Sequence, residues 1–244
     1  MSLSLPGRGS DAGTPDWSIT GFRLGLRLAL PVLPGLFAFG IATGTTAAAK
    51  GFSLFDSVVM NLFIYAGTSQ LVAMEVWPER LTLAAVAGLA LVTAVVNARI
   101  LLMTASLQPW LGALPAWQTY PLMQLVVDPV WLIAMRCRAE GHNDAAILLG
   151  AGIIFYVVWF AATTLGFLAG TLVTDLHRFG IDLVMPVFFA VMLVPLWRGP
   201  RRAAPWIVAG AVALLVRHFA GGWWFIVAGA LAGSAAGAFI DDAR

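Results

Sequence analysis

From about residue 23 to about residue 240 the chain is one apolar run after another. That pattern constrains its fold more than any motif. A helix needs about 20 apolar residues to cross a bilayer. Inside hydrocarbon, only helices and closed barrels satisfy their own backbone groups. The 244 residues are 60% hydrophobic and 11% charged, more apolar surface than a water-soluble domain of this size needs. The expected fold is therefore all-α, a polytopic helical membrane protein with about 7–8 spans, some broken by Pro and Gly. The runs lie near 23–49, 54–77, 81–106, 116–135, 144–172, 182–197, 203–220 and 222–240. Together they form a single transmembrane domain over residues 21–244, after a polar, Gly-, Ser- and Pro-rich tail at 1–20 that reads as mobile and cytoplasmic. The run at 116–135 carries Gln118, Gln124, Asp128 and two prolines, and is read as a span that is either short or re-entrant. The first run starts late, contains Arg27 and continues too far for a cleaved signal peptide.

The net charge of +2 points to no nucleic-acid partner, because the basic residues sit in short loops and read as topology signals. With odd-numbered spans running outward, Arg8, Arg23, Arg27, Arg80, Arg136, Arg138, Arg198, Arg201, Arg202 and Arg244 fall inside. Lys50, Arg178 and Arg217 fall outside. This bias predicts both termini in the cytoplasm. Trp77, Trp110, Trp117, Trp197, Trp206, Trp223 and Trp224 mark span ends, whereas Trp131 and Trp159 fall deeper. Cys137 is the one cysteine, so no intrachain disulfide forms.

The run 54–77 is unlike an ordinary spanning helix. It carries Asn61, Tyr65, Thr68, Ser69, Gln70 and Glu75, and polar groups in hydrocarbon are costly without partners or a wet cavity. At about 100° per residue, Asn61, Tyr65, Thr68, Val72 and Glu75 share one face of an unbroken helix, with Gln70 nearly opposite. A break near Gly67 brings Ser69 and Gln70 to the same side instead. The alternative is a helix–helix contact held by Asn and Thr hydrogen bonds. Ser53 and Asp56 have the spacing of a capping box, and Asp144 and Asp182 also stand at helix starts.

Other constellations follow. Pro31 and Pro34 in span one, with Gly35, Gly40 and Gly44, predict a kinked or broken helix. Leu33–Phe37 and Met185–Phe189 look faintly alike and raise an inverted repeat, a pattern that places transporter binding sites near the midplane. Asn97 and Arg99 in span three, with Asp128 in span four, suggest an Arg99–Asp128 ion pair. Glu75 is a further acid near a span end and a candidate for coupling. Gly229, Gly233 and Gly237 form a small-residue face suited to close helix packing, internally or against a partner. There is no metal-ligand spacing, phosphate loop or Gly-x-Ser-x-Gly elbow, so neither an enzyme nor a cofactor is expected.

The runs Phe37-Ala-Phe-Gly40, Gly51-Phe-Ser53 and Tyr65-Ala-Gly-Thr-Ser-Gln70 resemble the AzlC family. These are the large subunits of bacterial branched-chain amino-acid exporters. Asn97-Ala-Arg99, followed by Leu101, Leu102 and Ser106, and Met185-Pro186 with Phe188 and Phe189, are similar to later blocks of that family. The likeness runs over roughly residues 20–240. One departure is Asp128-Pro129, where the family usually has an Asp-Glu pair. The resemblance implies a permease in the bacterial cytoplasmic (inner) membrane and a small AzlD-like multi-span partner. It also implies export of branched-chain or similar small apolar amino acids, and a carboxylate inside the membrane, Asp128 or Glu75, suits coupling to an ion gradient. On that reading the substrate-binding residues are Pro34, Phe37, Gly40, Asn61, Tyr65, Gly67, Thr68, Ser69 and Gln70. Phe39, Leu36 and Phe63 are candidates for an apolar pocket, and Asn97, Arg99, Asp128 and Glu75 for coupling or ion pairing. The alternative is a non-transporting structural or regulatory subunit that packs through its glycine faces.

Overall fold

The computed structural model describes residues 14–78, 80, 82–172, 199–220 and 224–242, and every regular element in them is helical. Three stretches are long and apolar enough to cross a membrane: Ile19–Ala49, Leu83–Leu111 and Ala146–Leu172. Shorter apolar helices lie between and after them. The expected span six, Pro186, Asp182 and the second half of the expected repeat lie outside the described residues. The chain clusters into two compact units, residues 1–34 with 99–158 and residues 35–98 with 159–244.

The first unit begins with α1, Ile19–Ala29. The Ser18 hydroxyl caps it by accepting from the Gly21 amide at 2.8 Å. Asp144 accepts from both the Ser18 hydroxyl and, at 2.9 Å, the Ala146 amide, and so joins the starts of α1 and α8 (Ala146–Leu172). Asp16 adds a backbone bridge, donating to Asn143 at 2.8 Å and accepting from Ala145 at 2.9 Å. Residues 16–20, expected within the mobile tail, are therefore structured. The reason is tertiary: their partners lie about 125 positions away in the chain. A 3-10 turn at Leu30–Val32, with Pro31 near its start, tightens the helix before α2, Leu33–Ala49. The proline pair thus interrupts span one without ending it.

In the second unit, α3 (Leu54–Phe63) and α4 (Gly67–Glu75) are separated by Ile64, Tyr65 and Ala66. Ser53 and Asp56 form the expected capping box at the start of α3. The expectation that residues 54–77 cross the membrane fails. Lys50 and Glu75 pair at 3.1 Å, and the Phe52 and Trp77 rings meet edge to face at 4.9 Å. Midway, Asn61 and Gln70 are bonded at 3.0 Å. The two short helices are a hairpin that begins and ends beside the C-terminus of α2. At about 1.5 Å per residue, helices of 10 and 9 residues each reach only about half a bilayer core. Arg80, expected opposite Lys50, consequently follows a segment that returns to Lys50.

Long helix α5, Leu83–Leu111, comes next. Then α6 (Ala116–Gln124) and α7 (Asp128–Ala139) repeat the hairpin pattern within the first unit. Along α7, Asp128, Trp131 and Arg138 meet Arg99, Ser106 and Trp110 of α5 in turn. So α7 runs beside the last part of α5 and returns to the end where α6 began. The re-entrant alternative for residues 116–135 holds. The order hairpin–long helix therefore occurs twice in succession, over 54–111 and 116–172. Pro129 has a local reason: it lies in the first turn of α7, where amides have no intrahelical partner to lose.

The chain ends with α9, Pro200–Ala220, and α10, Trp224–Asp242. The glycine face of α10 packs on α9 of the same chain. A Cβ on Gly233 would stand 2.7 Å from the Ala209 Cβ, and one on Gly229 2.9 Å from the Ala209 carbonyl. Gly237 lies nearest Pro205. Of the occupants left open for this face, the structure shows the internal one, α9. Gly233→Leu is expected to separate α9 from α10 and cost about 1–3 kcal/mol by overpacking. Thermal unfolding in detergent measures this, and an unchanged melt would place the face elsewhere.

Candidate functional site

The hairpin of the second unit carries a dense polar cluster. Because the helix breaks at residues 64–66, Asn61 near the end of α3 and Gln70 in α4 come side by side instead of pointing apart. Asn61 Oδ1 accepts from Gln70 Nε2 at 3.0 Å and from Trp159 Nε1 at 3.2 Å. Its Nδ2 donates to Thr163 Oγ1 at 2.8 Å. The Thr163 hydroxyl in turn donates to the Trp159 carbonyl at 2.8 Å. Ser69 donates to the Ala66 carbonyl at 3.0 Å and accepts from Asn97 Nδ2 at 3.2 Å. One hairpin is thus tied to both α5 and α8 by side-chain amides and hydroxyls.

This cluster is closed. Tyr65, Ser69 and Gln70 are 7%, 0% and 1% exposed, and Asn61 is buried with them. Thr68 and Gly67 are half-buried. Gly67 lies under two rings: a Cβ there would stand 2.4 Å from the Trp159 indole and 2.9 Å from the Phe39 ring. Phe39 and Trp159 themselves meet edge to face at 5.2 Å. Two buried acceptors in the cluster, Gln70 Oε1 and Asn97 Oδ1, receive no hydrogen bond. Networks that only hold helices together normally satisfy their buried polar atoms. An amide oxygen without a donor in low dielectric is costly.

Other residues named from the sequence fall elsewhere. Gly40 and Gly44 serve packing: their added Cβ atoms would meet Ala162 at 2.6 Å and the Thr163 carbonyl at 2.0 Å. Phe37 is exposed and Phe63 is 78% exposed, so these two rings do not join the buried cluster. Leu36 is half-buried, and of the expected apolar group only Phe39 lies inside it. Pro34 belongs to the other unit and is exposed. Glu75 is exposed and makes a bridge to Lys50 at the open end of the hairpin. Asn97, expected near the ion pair, instead bonds Ser69.

Arg99 and Asp128 do pair, at 3.0 Å, within the first unit. Asp128 opens α7, where a helix start favours negative charge. Because α5 extends to Leu111, Arg99 stands about 18 Å from that helix end.

Sequence reasoning missed Trp159 and Thr163 as members of the cluster. Their signal was present: Asn61 needed partners, and Thr163-Thr164 is a polar pair within a long apolar run.

The comparisons point to a membrane protein. A family model described as AzlC protein matches residues 31–173. An "Uncharacterized membrane protein" of Archaeoglobus fulgidus is 27% identical over 79% of this chain and 83% of its own length. A protein of Haemophilus influenzae with the same description is 22% identical over 81% of this chain and 80% of its own. No solved structure gives a significant match. The family match covers both hairpins and the three long apolar stretches from residue 31 onward, more than half of the chain, and the chain is a membrane protein of the AzlC family.

Proposed function

We propose that this chain is the large subunit of an exporter for branched-chain or similar small apolar amino acids. It works with a small AzlD-like multi-span partner in the bacterial inner membrane and is driven by an ion gradient. The observation that carries the reading is the broken hairpin at Ile64–Ala66, whose buried cluster leaves the Gln70 and Asn97 carbonyl oxygens without donors. Discontinuous helices of this kind supply transporters with free backbone and side-chain groups inside the membrane. Asn61, Tyr65, Gly67, Thr68, Ser69 and Gln70 line the substrate path on this reading, and Asn61, Tyr65, Ser69 and Gln70 are buried in this conformation. The cytoplasm lies at the start of α1. Arg23 and Arg27 in α1, and Arg136 and Arg138 shortly before α8, outnumber Lys50 and Arg80, which follow α2 and α4.

The glycine faces that motivated a purely structural subunit are occupied within the chain, Gly229 and Gly233 by α9 and Gly40 and Gly44 by α8. The test is leucine flux in liposomes containing this chain alone and then with its small partner. Flux in the second case, abolished by Gln70→Ala at normal protein amounts, is the expected result. No flux in either case would sink the reading. Loss of the protein itself in Gln70→Ala would make the cluster structural.

A further inference from the structure

The Arg99–Asp128 pair has two features that a bridge serving only stability does not need. Arg99 sits well inside a 29-residue apolar helix and Asp128 opens α7, and yet their side chains are 46% and 41% exposed. Charges at that depth are expensive unless they meet a partner or line a cavity. We infer that Arg99 and Asp128 are the receptor for the charged head of a zwitterionic α-amino acid, the carboxylate taken by Arg99 and the ammonium by Asp128. This rests on the reading of the chain as an amino-acid transporter, and goes beyond it by assigning the head-group site.

The chemistry is an exchange of partners. The guanidinium leaves the Asp128 carboxylate for the substrate carboxylate, which it can grip with two parallel N–H bonds. The Asp128 carboxylate then accepts from the substrate ammonium. One ion pair becomes two, no covalent bond changes, and the total charge in the low-dielectric region stays zero. A ligand with only one of the two charges breaks the Arg99–Asp128 pair and replaces only one half of it, which is the costly arrangement. Selection for zwitterions follows. Pro129 suits this role, since it supplies no competing charge beside Asp128.

The test measures binding to the full chain together with its small partner in nanodiscs, with leucine, leucinamide (ammonium only) and 4-methylpentanoate (carboxylate only) as probes. In the wild type, leucine is expected to outbind each half-ligand by tenfold or more, as roughly expected for losing a charge-assisted bond. In Arg99→Gln the preference for leucine over leucinamide should vanish. In Asp128→Asn the preference over 4-methylpentanoate should vanish. Should a single variant fold poorly, Arg99→Gln/Asp128→Asn, which leaves no lone charge, carries the same test and should lose both preferences. Preferences that survive in the folded variants would overturn the assignment, and so would equal binding of leucine and leucinamide by the wild type. A wild type that binds none of the three would overturn the transporter reading itself, an outcome distinct from leucine binding that ignores Arg99 and Asp128.

Discussion

Gly67→Val is expected to abolish export while most of the protein still reaches the membrane. The β-carbon alone would stand 2.4 Å from the Trp159 indole and 2.9 Å from the Phe39 ring. Real Cβ contacts are never that short, so Trp159 must move. Its Nε1–H is bonded to Asn61 Oδ1, which also receives the Gln70 amide, so the displacement reaches the whole cluster. Valine adds a second problem, because its branched β-carbon restricts the first turn of α4 directly after the break. Overpacking of this kind costs about 1–3 kcal/mol, enough to distort a site without unfolding a helical membrane protein. The measurement is initial export rate beside immunoblot amounts. A steric origin makes a further prediction: Trp159→Phe removes the indole atoms nearest Gly67 and should partly rescue Gly67→Ala. If Gly67→Val exports normally, neither the contact nor the site reading survives.

Gly44→Leu should have the larger effect on folding. Helices α2 and α8 approach so closely within the second unit that a Cβ at Gly44 would stand 2.0 Å from the Thr163 carbonyl and 2.6 Å from the Phe167 amide. These are backbone atoms and cannot rotate away. Gly166 and Gly170 mirror the contact from α8, against Ile41, Thr45 and Ala48. Leucine at position 44 therefore pushes two helices apart along their length, at about 3 kcal/mol or more, the upper end for overpacking. The variant becomes more hydrophobic, so membrane insertion itself is not impaired. The expected result is protein that inserts but is degraded or aggregates on extraction, read by fluorescence-detected size exclusion. Gly35→Leu is the control on the same helix, because nothing lies within 4 Å of its added Cβ. Equal amounts of both variants would show that the α2–α8 contact is not needed for folding.

The membrane class, the helical fold and three of the long runs were legible in the sequence because they follow from local chemistry. Twenty or more apolar residues must pair their own backbone groups in hydrocarbon, whatever the neighbours are. The capping box at Ser53 and Asp56 and the packing role of Gly229 and Gly233 were legible for the same reason: each is a short-range pattern with one physical meaning. The polar residues of 54–77 announced that the segment was special. Tertiary structure decided what shape it takes. An apolar run of hairpin length and one of spanning length have the same composition, and only the meeting of Lys50 with Glu75 and of Phe52 with Trp77 separates them. Partners across long sequence gaps were equally hidden. Asn61 needs a donor and an acceptor, but nothing local says that Trp159 and Thr163 supply them, or that Asn97 turns to Ser69 while Arg99, two residues on, turns to Asp128. Periodicity fixes which residues a helix can bury; it does not fix which helix they are buried against.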